Sequence, residues 1–561
     1  MVTVTRLQRA ETRAEVERRL AAGQTQRQVA ADLSIARSTL QDWRRARPTE
    51  QTRLPACLVT DFATPEGVRW LHRRALAAHV TITLRGGAGV RVVCACLELS
   101  GLSAVIGASD GTQQALNVAL EAAVVAEAQA QRAELAAGMA PRQMVAGEDE
   151  TFHPEVCLVA LEPIANFILL EQYAPDRTAA TWTQALSAAL DGLPVAVIQG
   201  TSDEATALRR HQEGDCQAHH APDRFHVQHE VVKATRLARA RQVKQAEAQV
   251  AAAEAHWQAE RAAEQASHAQ RPVPRGRPPA FAQRIQTALS EVARAAVEQH
   301  PATARQEEAR GLVRERGQLY RPYDLDTGAA QSPEPVAGRF ASVWSRLPHL
   351  ADAADLSARA HEHLAKAQRL TTQLVATVTF FWTLVSARVE ALSLPLELEQ
   401  ALLTPLIPAL YLEQAAARCA RAEPRQRRQA LSAQLLLAPL QQPTHPVQQP
   451  PPDERAEIEQ VATDCATLFQ RSSSAVEGRN GPLARYHHGR HRLSARKRAA
   501  LTAVHNFHIR RPDGTTAAER FFGRPHMPLF EQVIARVSPP PAPRRRRPRP
   551  VRPPYLTPVA A

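Results

Sequence analysis

Strand-forming patterns are confined almost entirely to residues 144–233, and this feature most constrains what the chain can fold into. Apolar runs and alternations there predict strands at Met144–His153, Val156–Leu161, Phe167–Tyr173 and Val195–Gln199, with a helix at Thr178–Leu190. The next stretch, roughly 234–452, shows only helical patterns. A small α/β domain must therefore precede a long helical segment, and 561 residues are enough for several such domains.

The whole chain divides by composition into six zones. We expect a compact helical unit at 9–47, a mainly helical domain of unassigned role at 55–140, the first part of an α/β core at 144–233, a helical insertion at 234–452, the last part of the core at 453–537, and a disordered tail rich in Pro and Arg at 538–561. Within the second zone the patterns predict helices at Pro65–Ala78 and Gln114–Ala137 and short strands at Val80–Leu84 and Val90–Cys94.

The charge balance favours a polyanionic partner. Lys and Arg number 69 against 56 Asp and Glu, a formal net charge of +13, and nucleic acid is the simplest such partner. An arginine-biased soluble protein is an equal alternative. The 7 cysteines lack the paired spacings of a disulfide or zinc framework. With no signal-peptide pattern, and with the apolar run Leu374–Val385 too short to span a bilayer, we expect a cytoplasmic protein, nucleoid-associated when bound to DNA, and no membrane partner.

Residues 9–47 carry a pattern typical of two short helices joined tightly. Val16 and Leu20 lie one turn apart on the first helix, and Gly23 can end it by adopting a left-handed conformation. Thr25 and Gln28 form a capping-box pattern at the start of the second helix.

A third helix, Arg37 to Arg45, completes a helix-turn-helix pattern. Leu40 and Trp43 would face inward, although Ala36 replaces the usual capping Ser or Thr at a cost of about 1 kcal/mol. The side chains aimed at the DNA major groove would be Arg37, Ser38, Thr39, Gln41 and Arg44. A three-helix packing unit without a DNA role is the alternative.

Carboxylates stand at two positions of the predicted sheet. Strand alternation sends Glu148 and Glu150 to one face and Asp149 to the other, so one set can project as a metal ligand. An edge strand with solvated acids is the alternative. Asp203 follows the strand at Val195–Gln199, at the carboxyl end where open α/β sheets place their chemistry. A helix N-cap would also explain Asp203.

Two later segments add further candidates. Residues 216–229 contain six potential ligands: Cys216, His219, His220, Asp223, His226 and His229. Zinc is one interpretation, but no paired cysteines anchor it, so a fifth strand is favoured. Glu477 lies on a predicted helix with a small Ser/Ala face that can approach a sheet closely. A surface glutamate is the alternative.

Four segments, in this order, resemble the DDE transposases of the RNase H-like superfamily, especially those close to the Mutator and hAT groups and the bacterial ISL3-like elements. They are D-E-T-F at 149–152, S-D-E-A-T-A-L at 202–208, A-P-D-R-F-H-V at 221–227 and S-S-S-A-V-E-G-R-N at 472–480. The resemblance implies a multi-domain protein: an all-α helix-turn-helix, then an α/β RNase H-like core interrupted by an all-helical insertion. It covers roughly 144–233 and 465–525.

The resemblance also implies a catalytic site. Asp149, Asp203 and Glu477 would be the catalytic metal ligands, with Asp223 the rival for the second place and His226 completing the family's D-x-x-H signature. Two Mg²⁺ or Mn²⁺ ions about 4 Å apart would activate the nucleophile and stabilise the leaving oxygen. Carboxylate oxygens are the ligands that such hard cations prefer.

The implied activity is metal-dependent cleavage of transposon-end DNA and its transfer to target DNA. The expected partners are double-stranded DNA, both transposon ends and target, and further copies of the chain on that DNA. The alternative is a transposase-derived, catalytically inactive DNA-binding protein or regulator. A nuclease that cleaves without joining would use the same residues.

Overall fold

The computed structural model describes residues 15–16, 18–20, 22–33, 35, 56–152, 155–269, 280–353, 356–419, 421–470, 473–490 and 493–543. The chain forms two compact units. One contains Met1–Glu127 together with Leu529–Ala561, and the other contains Ala128–Pro528.

The N-terminal residues of the first unit form a small helical cluster. Residues 15–16 and 18–20 are helical, and helix α1 spans Gln26–Asp32. Gly23 has φ +86°, and Thr25 and Gln28 form the reciprocal capping box, so both of these predictions are confirmed. The predicted third helix, and with it all five proposed DNA-reading residues from Arg37 to Arg44, lies outside the described residues.

Residues 56–127 of the first unit are mainly helical. The elements are α2 (Ala56–Asp61), α3 (Pro65–His79), a π-helical turn (Val80–Arg85), α4 (Val90–Leu99), a 3₁₀ turn (Leu102–Ala104) and the start of α5 (Asp110–Ala137). The strands predicted at Val80–Leu84 and Val90–Cys94 are wrong. Their β-branched residues favour strands locally, but the buried positions recur at helical spacing, so packing overrides that preference.

The second unit contains a five-stranded mixed sheet. The strands are β1 (Arg142–Phe152), β2 (Val156–Glu162), β3 (Phe167–Tyr173), β4 (Val195–Ser202) and β5 (His219–Pro222), in the spatial order β3-β2-β1-β4-β5. The pairs β1–β2 and β2–β3 are antiparallel, whereas β1–β4 and β4–β5 are parallel. The four strands predicted from apolar patterns and the proposed fifth strand are confirmed.

Helix α6 (Ala179–Leu190) connects β3 to β4 and packs on one face of the sheet. Trp182 is fully buried there among Leu158, Leu170 and Leu186. A short helix α7 (Thr206–Arg209) and a π-helical turn (Arg210–Asp215) lead from β4 to β5. These elements lie on the same face as α6, because Gln212 packs against Gly200 of β4 while the neighbouring His211 hydrogen-bonds Thr183 of α6 at 2.8 Å.

A long helical segment follows β5, as the sequence predicts. It contains α8 (Arg224–Ala269), α9 (Phe281–Leu319), α10 (Pro333–Ala353), α11 (Ala358–Arg369), α12 (Thr371–Ala391), α13 (Leu396–Ala401), α14 (Ile407–Ala417), α15 (Ala422–Ala430), α16 (Ala438–Leu440) and α17 (Pro452–Leu468). All of these helices except α15 contribute to one large apolar core, to which Phe340, Phe381 and Leu412 belong.

The apolar run Leu374–Val385 forms a core helix. In α12 the side chains of Leu374, Val378, Phe381 and Val385 are buried in the core of the helical segment. In the described part of the chain, Ala358–Ala391 is the single stretch long and apolar enough to cross a membrane. Because α12 packs into the core of the helical segment, a water-soluble protein is compatible with this feature.

The chain returns to the sheet through α18 (Ser474–Arg490), α19 (Ala495–Phe507) and α20 (Ala517–Phe522). Asn506 of α19 hydrogen-bonds both backbone groups of Ile168 on the edge strand β3, at 2.9 Å each. Phe521 stacks on Phe167 with 4.4 Å between ring centroids. Helix α21 (Leu529–Arg536) belongs to the first unit, as does Pro541, whose carbonyl accepts a hydrogen bond from Gly107 N at 2.9 Å.

The predicted disordered tail falls partly outside the described residues. Residues 538–543 are described and residues 544–561, which include the arginine run, are not.

Candidate functional site

Three aspartates lie where neighbouring parallel strands end. The last pairs of the β1–β4 and β4–β5 ladders are within two residues of Asp149, Asp203 and Asp223. Asp223 N also donates a 2.8 Å hydrogen bond to the carbonyl of Ser202, the residue before Asp203. Since parallel strands end at the same edge of a sheet, these aspartates line one edge.

The consecutive acids of β1 alternate between the two faces of the sheet. Glu148 accepts a 2.7 Å hydrogen bond from Gln212 Nε2, and Glu150 accepts a 3.1 Å hydrogen bond from Trp182 Nε1. Both partners lie on the face covered by α6. Asp149 points to the opposite face, so the strand geometry separates it from its neighbours.

Helix α18 covers that opposite face and carries Glu477. Asn480 Nδ2 donates a 3.0 Å hydrogen bond to Asp149 Oδ2. Val476 is buried against Gly147, where an added Cβ would lie 3.2 Å from Val476 Cγ2. Glu477 is exposed and precedes Asn480 by three residues, a spacing that makes the two side chains neighbours on a helix surface.

Asp223 fixes the start of α18. Its carboxylate is buried and accepts hydrogen bonds from the backbone N–H of Ser473, at 3.2 Å, and from the Ser473 hydroxyl. A carboxylate at a helix N-terminus satisfies donors that have no partner within the helix. Asp203 has a local role too, because its Oδ1 accepts a 3.0 Å hydrogen bond from Ala205 N.

Two buried ionisable groups, Glu148 and His211, lie on the face of the sheet that α6 covers. Burial raises the pKa of Glu148 to about 7, against the smaller opposing effect of its hydrogen bond from Gln212. Burial lowers the pKa of His211 to about 4, and its Nε2 is 3.9 Å from Glu148 Oε2. At neutral pH this histidine is uncharged, so no full ion pair forms with Glu148.

The donor chemistry at the strand ends suits a hard divalent cation. Asp149, Asp203 and Glu477 supply carboxylate oxygens, and the amide oxygen of Asn480 is buried without a hydrogen-bond partner among the described residues. No three His, Cys, Asp or Glu side chains of the described chain already stand as a metal-binding group. The structure thus brings Asn480 to Asp149 but does not gather Asp149, Asp203 and Glu477 into one cluster among the described residues.

The potential ligands of residues 216–229 have separate neighbours. Cys216 lies 3.6 Å from the His211 ring, and His219 bonds Thr377 at 3.0 Å. His220 bonds Ser202 at 3.2 Å. The side chain of His226 lies outside the described residues.

Three residues that hold this site together have no role predicted from the sequence. Asn480 and Ser473 tie α18 to the ends of β1 and β5, and Gln212 holds the buried Glu148. The amino-acid types of these residues do not reveal their roles, because each contacts a partner far away in the sequence. The spacing of Ser473, Glu477 and Asn480 along one helix was the available clue.

Comparison with known proteins gives one match. Residues 402–549 are similar to DUF6399, described as a family of unknown function. The matched part includes α17, α18 and Glu477 but neither Asp149 nor Asp203. No curated protein and no solved structure matches the chain.

Proposed function

We propose that this chain is a metal-dependent DNA transposase that cleaves DNA and transfers the new 3′ end to a target strand. The observation that carries the proposal is the docking of α18 on β1 through Asn480 and Asp149, 331 residues apart in sequence. This contact holds α18, the helix that carries Glu477, against β1, the strand that carries Asp149. Most of the chain between Asp149 and Asn480 forms the helical segment α8–α17.

The sheet supports the same proposal. Three antiparallel strands, a helix and then parallel strands follow the order expected of an RNase H-like sheet. Asp149, Asp203 and Glu477 would hold the metal ions, whose role is to activate the attacking hydroxyl and to neutralise the leaving oxygen. Asp223 acts as a positioning residue, since its carboxylate is committed to the first turn of α18. The N-terminal cluster would locate the DNA ends.

The test measures nicking and joining separately. Full-length protein is incubated with supercoiled plasmid and a labelled oligonucleotide bearing a free 3′-hydroxyl, with Mg²⁺ or Mn²⁺. We expect nicked plasmid and covalent joining of the label with the unaltered protein. Asp149→Asn, Asp203→Asn and Glu477→Gln should each slow both steps at least about a hundredfold, because metal-held charge stabilisation is worth several kcal/mol.

The matched control is Glu459→Gln, which removes an exposed acid on α17. It should leave both steps unchanged. Wild-type rates in Asp203→Asn and Glu477→Gln would contradict the assigned site. Nicking without joining would indicate a nuclease, and retained DNA binding without either step would indicate an inactive DNA-binding protein.

A further inference from the structure

A cavity of about 680 Å³ lies beside the start of α18, and its walls are strongly basic. Five arginines line it: Arg224, Arg321, Arg418, Arg421 and Arg428. No Asp or Glu is among the lining residues. All of them belong to the second unit. We define this feature as the arginine cavity.

Two arginines of the cavity hydrogen-bond only neutral acceptors among the described residues. The guanidinium of Arg321 donates to the Tyr411 hydroxyl at 3.3 Å and that of Arg428 to the Ala415 carbonyl at 3.3 Å, both neutral acceptors. The Nε atoms of Arg321 and Arg428 are buried with no partner in the described part of the chain. Such unpaired cationic donors are costly unless an anion occupies the space between them.

Mutual repulsion adds to this cost. Burial lowers the pKa of Arg224, and the neighbouring positive charge of Arg321 lowers it further. The carboxylate of Asp223, adjacent in sequence, partly offsets these effects but is hydrogen-bonded to Ser473. Gathering cations in one concave site against their repulsion is typical of sites that receive a multiply charged anion.

The position and size of the arginine cavity narrow the choice of anion. Arg224 follows Asp223, and Ser474, which opens α18, is part of the wall. The cavity therefore borders the helix that carries Glu477. Its volume is that of a small-molecule pocket, too small for duplex DNA but large enough for one nucleotide.

We propose that the arginine cavity binds the terminal phosphate of a DNA strand whose end lies at the candidate site. A terminal phosphomonoester carries up to two charges and three accessible oxygens, whereas an internal phosphodiester carries one charge. Guanidinium groups bind phosphate oxygens in pairs, which suits several arginines around one such group. This inference rests on the proposed function for the identity of the strand.

The test compares two single-stranded oligonucleotides that differ only in a 5′-phosphate or 5′-hydroxyl, by fluorescence anisotropy in EDTA. Without metal, no cleavage occurs, so binding is measured alone. We expect the full-length protein to bind the phosphorylated probe at least about tenfold more tightly. Arg428→Gln and Arg418→Gln should abolish this difference.

Arg425→Gln is the matched control, because Arg425 is exposed on the same helix as Arg428 and loses the same charge outside the cavity. It should keep the tenfold preference. Arg418→Lys, which retains charge but not the planar guanidinium, should keep only part of it. Thermal unfolding of each variant checks that it is folded.

Three outcomes would overturn the inference. The first is equal binding of both probes by the unaltered protein. The second is a loss of the phosphate preference in Arg425→Gln as large as in Arg428→Gln. The third is displacement of the phosphorylated probe by free nucleoside monophosphate at the same concentration as by unlabelled oligonucleotide. A phosphate preference in a protein that neither nicks nor joins plasmid would support the cavity and refute the transposase. Nicking and joining without a phosphate preference would do the reverse.

Discussion

The ion pair between Glu171 of β3 and Arg479 of α18 should be a main anchor of the helix that carries Glu477. The carboxylate accepts from Arg479 Nε at 2.6 Å and from Nη2 at 3.0 Å. The Glu171 side chain is 0% exposed and that of Arg479 is 8% exposed. Thr502 of α19 donates a further hydrogen bond to the same carboxylate at 3.1 Å.

Removal of one partner leaves the other charge buried and unpaired. We therefore expect Glu171→Ala and Arg479→Ala each to lower the free energy of unfolding by about 3–5 kcal/mol. Replacement of both by apolar residues of similar volume, Glu171→Leu with Arg479→Met, should cost much less, because no unpaired charge remains. The single variants should also slow DNA joining, since Arg479 adjoins Asn480, which bonds Asp149.

Urea titration followed by circular dichroism measures these changes. The control is the exposed pair Glu308 and Arg346, whose nitrogen–oxygen distance is 2.9 Å and whose side chains are 40% and 49% exposed. Its removal should cost less than about 1 kcal/mol. If Glu171→Ala costs no more than the exposed control, or if the double variant is as unstable as the sum of the singles, the anchoring argument is refuted.

Two further predictions concern the surroundings of this helix. Burial lowers the pKa of His505 from 6.5 to about 4. The stability present above pH 6.5 should therefore decrease by up to about 3 kcal/mol as the pH falls to 4. Urea titrations of His505→Gln at several pH values should show a flatter dependence of stability on pH, and an unchanged dependence would contradict this prediction. Gly147→Val should push Val476 and α18 away from β1, costing about 1–3 kcal/mol of stability and slowing joining, whereas undiminished joining would show that the contact is unimportant.

Local sequence patterns were sufficient for much of the sheet and for one helix boundary near the N-terminus. Apolar runs fixed the strands because a strand buried on both faces must be apolar throughout. Gly23 and Thr25 fixed a helix boundary through backbone geometry and a hydrogen bond within four residues. The same approach failed at Val80–Leu84, where β-branched residues sit in a buried π-helical turn.

The sequence by itself determined that Glu148 and Glu150 share one face of β1 and that Asp149 lies on the other, since alternation along a strand depends on nothing beyond the strand. It also supplied Asp203 and Glu477 as candidates, through the resemblance of their segments to family motifs. Only the tertiary structure decided that Asn480 meets Asp149, that Asp223 is committed to Ser473, and that arginines from α8 to α15 surround one cavity. These contacts join residues hundreds of positions apart, and their partners are selected by the packing of the whole helical segment rather than by any local pattern.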